Sequence, residues 1–87
     1  MPRLNRRRLR EHAYRQAEEG IRVSLENARD AGRPLYLAPL RRVPVWGDEP
    51  EKGPLDTFLI PTGDIARLLG AVWVGPNLWS LSPEKEP

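Results

Sequence analysis

From Glu11 to Ala31 the apolar residues recur at helical spacing. At about 100° per residue, Ala13, Tyr14, Ala17, Ile21, Leu25, Ala28 and Ala31 fall within one arc of about 120°. The opposite side carries Arg15, Glu18, Glu19, Arg22, Glu26 and Arg29. This pattern predicts an amphipathic helix over 11–31. Glu11 with Arg15, and Glu18 with Arg22, have the favourable i,i+4 order, worth about 0.2–0.5 kcal/mol per pair. Arg29 in the last turn, Gly32 as the first residue past the end and Pro34 beyond it set the stop. Most of the stripe is alanine, which lets another element approach closely, so it is expected to pack on a sheet or on a second copy. Extending the same helix back to residue 3 would place Arg3, Arg6, Arg7 and Arg10 on the apolar arc. Guanidinium groups are not buried unpaired against a core. The packed part is therefore expected to begin near Glu11. Residues 1–10 would then project as a basic arm, helical or extended, whose removal leaves the fold intact.

After Pro34 the pattern shortens. Residues 35–46 read as extended chain, with Pro39 and Pro44 confining them to a sheet edge or breaking them into two strands. Residues 47–54 are a loop by composition, and Leu55 to Ile60 reads as a strand, so the two runs form a hairpin with a long tip. Thr62 is the expected N-cap of a short helix with Asp64 in its first turn, an Ile65, Leu68 and Leu69 face, and an end at Gly70. Val72–Val74 and Leu78–Leu81 flank Gly75-Pro76-Asn77, where Pro at i+1 and Asn at i+2 suit the tight turn of a second hairpin. Residues 83–87 read as a polar tail. The expected fold is α+β, in order α-β-β-α-β-β. A long N-terminal amphipathic helix packs on a small, mostly antiparallel sheet beside one short second helix, in a single domain over 11–82.

Length and composition narrow the chemistry. A chain of 87 residues makes one thin-cored domain. The absence of cysteine removes disulfides, thiolate metal sites and thiol nucleophiles. No apolar run approaches the roughly 20 residues that span a bilayer, and no apolar stretch follows the basic start as in a signal peptide. A soluble, cytoplasmic protein is expected. Arginine outnumbers lysine by 12 to 2, which suits a GC-rich or heat-adapted source. Net charge is only +2, but it is unevenly distributed. Residues 1–42 hold eleven arginines against five acids, a balance of +6; residues 43–87 hold three bases against seven acids, a balance of −4. Five arginines precede the first acid, Glu11.

That cluster carries the functional expectation. Guanidinium groups bind phosphate bidentately, and basic segments gain affinity by releasing condensed counterions. Arg3, Arg6, Arg7, Arg8 and Arg10 are expected to hold the phosphates of a nucleic acid, with Arg15, Arg41 and Arg42 extending the track. Nothing encodes base readout, so weak sequence preference is expected. The acidic C-terminal half would face away. The competing expectation is a structural or interaction protein, either an assembly subunit or a small inhibitor. Its contacts would be the basic arm on an acidic partner, the edge at 35–46 and the aromatic hairpin at 72–81. The +6/−4 split also permits head-to-tail self-association.

Other features carry less. Thr62 to Gly70 resembles the first helix of a helix-turn-helix, with Ala66 as the small internal residue and Gly70 as the turn glycine. A recognition helix should follow, but Ala71 to Pro76 is β-prone and contains proline, so the stretch reads as a capped helix packing on the sheet. Trp46, Trp73 and Trp79 lie in the β-rich, net acidic half and are read mainly as core. Asp48, Glu49, Glu51 and Asp56 match no metal-loop spacing and read as solvated loop charge. His12 has no triad partner, and no glycine-rich phosphate loop is present. No cofactor, metal or enzymatic activity is expected.

Overall fold

A computed structural model of the chain describes residues 5–82; Arg3 and the 83–87 tail lie outside them. The elements are α1 (Arg6–Asp30), β1 (Leu35–Tyr36), β2 (Leu40–Val45), a 3-10 turn (Pro50–Lys52), β3 (Asp56–Pro61), α2 (Thr62–Leu68), β4 (Val72–Gly75) and β5 (Leu78–Ser80). This is the expected α+β fold, with the first extended run divided at Pro39.

Helix α1 starts where Asn5 accepts a hydrogen bond from the Arg7 N–H at 2.9 Å. It ends in the predicted way. Gly32 takes a φ of +71°, which only glycine adopts without strain. Its N–H donates to Arg29 O and the Arg33 N–H to Ala28 O, so the last carbonyls are satisfied. The buried face is Leu9, Ala13, Ala17, Ile21 and Leu25, a single i+4 series. Such a ridge is inclined by about 26° to the helix axis. The buried stripe therefore winds round the helix instead of keeping to one arc.

That winding corrects two expectations. Ala31 is exposed at the C-cap, and Leu9 joins the core at 9 % exposure. The packed region thus begins at Leu9 and not at Glu11. At this end the buried line runs through Leu9 and Ala13, so Arg7 and Arg10 fall to one side of it and stay exposed. The arm does not simply project past the core: removing residues 1–10 removes a core side chain. Leu9→Ala is expected to cost about 2 kcal/mol, lowering Tm by roughly 8–16 °C. Deletion of residues 1–10 should cost more, and a urea titration of both variants checks this. Equal stability of the deletion and the full chain would restore the boundary at Glu11.

The strands form two antiparallel sheets where one was expected. One is the β2–β3 hairpin, in register from Leu40 opposite Pro61 to Val45 opposite Asp56. The other has the order β1-β5-β4. Alternation places Val43, Val45, Phe58 and Ile60 inward, while Leu40 and Leu59 are exposed on the outer face. Helix α1 touches both sheets and α2. Its first turn lies at the tip end of the hairpin, where Arg6 meets Asp56, and Gly20 lies beside Arg41 towards the hairpin root. In the second sheet Trp79 lies opposite both Leu35 and Trp73 and is buried. Trp73, on the edge strand, stays exposed.

Thr62 does not cap α2. It is buried; its hydroxyl donates to Ala38 O at 2.6 Å and its N–H to Pro39 O at 3.1 Å. The β2–β3 register brings the end of β3 against the chain entering β2, and those carbonyls capture the threonine. Pro61 is the N-cap residue in its place. Gly70 closes α2 as predicted, with φ of +87° and the Ala71 N–H donating to Ala66 O.

Candidate anion-binding site at the start of α1

The first turn of α1 contains no acid and three arginines, Arg6, Arg7 and Arg8. A helix N-terminus already carries partial positive charge, so each costs about 0.3–1 kcal/mol there at low salt. Of these three only Arg6 is ion-paired; Glu11, at i+4 from Arg7 and i+3 from Arg8, is their one acidic neighbour along the helix. Arg6 donates to Asp56 Oδ2 at 2.7 Å and lies 5.0 Å from the Phe58 ring centroid. With Asp56 half-buried and Arg6 largely exposed, this pair ties the start of α1 to the tip end of the hairpin through residues fifty apart in sequence. Arg7, Arg8 and Arg10 are exposed and have no ion-pair partner among the described residues. On a helical wheel Arg6, Arg7 and Arg10 share one flank, and Arg8 lies about 100° beyond Arg7.

The wider arginine track does not assemble. Arg41 and Arg42 are consecutive on β2, so they point to opposite faces. Arg41 lies against α1, where a Cβ at Gly20 would sit 3.2 Å from its Nη2; Arg42 stands on the outer face of the hairpin opposite Leu59. Arg15 lies on the solvent side of α1 within helical reach of Glu11, Glu18 and Glu19, which offset its field. The compact set is therefore Arg7, Arg8 and Arg10, with Arg6 already engaged. Part of the acidic half folds back to the same end of α1, where Asp56 pairs with Arg6. The hairpin tip carrying Asp48 and Glu49 borders a groove that also includes the N-terminal part of α1. Sequence distance hid this, because the hairpin folds its tip back to the helix start.

That groove, open and about 880 Å³ in volume, was not anticipated. It is walled by Leu9, His12 and Gln16 of α1 and by Trp46, Asp48 and Leu55. The available signal was the shared flank of Leu9, His12 and Gln16 at i, i+3 and i+7; the opposing wall left no trace in that periodicity. Gly47 permits the close turn, since a Cβ there would meet the Leu55 side chain at 3.1 Å. Glu49 is bridged by Lys52 at 2.6 Å. Among the described residues no three His, Cys, Asp or Glu are grouped to hold a metal ion, and no helix is long and apolar enough to cross a membrane. Comparisons with family models, curated proteins and solved structures return no match.

Proposed function

We propose that this is a small, non-catalytic accessory protein that contacts the phosphates of a nucleic acid through Arg7, Arg8 and Arg10. The observation that carries the reading is three exposed guanidiniums in the first two turns of α1 with no ion-pair partner among the described residues. Arg7 and Arg8 sit in the first turn, where a helix least favours positive charge, so they oppose stability and suit an anionic ligand; Arg10 follows one turn on. A cytoplasmic setting belongs to this reading, since nucleic acid is met there. With so few phosphate contacts, binding is weak, fast and insensitive to sequence.

The test is a gel shift with duplex DNA, single-stranded DNA and RNA at two salt concentrations. Three phosphate contacts give a log–log salt slope of about −2.7 on duplex DNA, and replacing all three arginines by alanine should abolish it. A companion variant, Arg7→Glu with Arg8→Glu, separates binding from folding. It should bind nothing yet raise Tm by several degrees, because the new charges complement the helix dipole. Retardation that ignores salt, or a triple variant that binds like the parent, would overturn the proposal. A protein partner is the second reading, favoured by one observation: the three apolar residues Val72, Trp73 and Val74 are exposed together on β4.

A further inference from the structure

We infer that β4 is the seam of a two-fold homodimer, in which it pairs antiparallel with β4 of a second copy. In the order β1-β5-β4, β4 has a partner on one side only. Half of an edge strand's backbone N–H and C=O groups point away from its sheet and can accept another strand. Val72, Trp73 and Val74 are 55 %, 58 % and 51 % exposed, so the side chains on both faces of this strand are largely uncovered.

The contrast with the other strands is what singles β4 out. The chain guards its remaining long edges with devices that block strand addition: Arg41, Arg42 and Pro44 on β2, Asp56 and Pro61 on β3. From Leu68 to Ser82 there is no charged residue, and β4 itself contains no proline. The irregularity between Trp73 and Gly75 in the pairing with β5 falls at Val74, which has no partner on β5, and confines the seam to Val72-Trp73-Val74.

A second copy is the occupant that this sequence fits. Two-fold pairing sets the central residue against its own copy and brings the copies of its neighbours close by, so a charge at the centre of the seam would meet like charge. The stretch is free of charge. Val72-Trp73-Val74 also reads the same in both directions. Centred on Trp73, antiparallel pairing places Trp73 near its copy and each Val72 beside Val74 of the other chain. Aromatic and β-branched cross-strand pairs of this kind are among the more stabilising ones. The two three-stranded sheets become one continuous six-stranded sheet. The pairing requires none of the arginines of α1.

Sedimentation equilibrium across the micromolar range, without nucleic acid, tests the inference apart from the phosphate reading. The parent chain should approach twice its monomer mass with rising concentration. Val72→Lys combined with Val74→Lys should stay monomeric, with the far-UV spectrum and Tm of a folded chain, since both positions are exposed. Should the lysine variant fail to fold, Trp73→Cys serves instead, because the chain has no other cysteine. Directly opposed residues in an antiparallel pair come close enough for a disulfide. Trp73→Cys should therefore cross-link under mild oxidation, while Val23→Cys on the exposed side of α1 should not. A parent chain that stays monomeric throughout, a dimer that survives both lysines, or equal cross-linking at positions 73 and 23 would overturn it.

Discussion

Ile21→Asp is expected to yield an unfolded chain. Ile21 is fully buried at the middle of the α1 stripe, within the single core cluster that holds Val43, Ile60 and Trp79. The substitution loses about 1.5–3 kcal/mol of apolar burial. It also strands a carboxylate in apolar surroundings, where ionisation is strongly disfavoured. A domain of this size has a total stability of roughly 4–13 kcal/mol, so the sum is comparable to the whole. Ile21→Val is the control, expected to cost only about 0.5–1.5 kcal/mol while keeping the native spectrum. Far-UV circular dichroism and an amide NMR spectrum read both variants. A folded Ile21→Asp protein of parental Tm would mean that α1 packs by another face. Leu25→Asp, one ridge position on and equally buried, should behave alike.

Trp79→Ala is expected to destabilise by about 3–5 kcal/mol, the range for emptying a large aromatic site. Trp79 is the buried centre of the three-stranded sheet, opposite Leu35 on one side and Trp73 on the other. Its ring extends to α2: a Cβ at Gly63 would lie 3.3 Å from it, and the Arg67 guanidinium sits 5.5 Å from the ring centroid. One side chain thus joins β1, β4 and α2. Chemical denaturation followed by circular dichroism measures the loss. Trp79→Phe should recover much of it, since the smaller ring still fills the space between sheet and helix. Loss below about 1 kcal/mol for Trp79→Ala would mean that α2 is held by Ile65 and Ala66 without the tryptophan.

Local punctuation was the most legible part of the sequence. Gly32, Gly70 and Asn77 each occupy positive φ where the chain was expected to turn or end. Their signal is carried by the residue itself and owes nothing to distant neighbours. Both hairpins were legible for the same reason. What depended on packing was not. A single averaged arc cannot represent a stripe that winds along 25 helical residues, so on the wheel Leu9 reads as arm and Ala31 as core. Thr62 has the composition of a cap, but two carbonyls from the β2 entry claim it. The placement of several arginines was hidden in a similar way. Arg41 and Arg42 read as a basic pair, yet strand alternation parts them. Arg6 reads as free, yet Asp56 lies far along the chain and beside it in the fold. Arg7, Arg8 and Arg10 are exposed, as their charged sequence neighbourhood predicts.

The shortness of β1 has a consequence for self-association. At the outer margin of its sheet this strand is only Leu35–Tyr36, introduced by Pro34 and followed within three residues by Pro39. A newcomer would find almost no backbone ladder to grip there. Growth through strand addition therefore stops after one event, and the product is a finite particle and not a fibre.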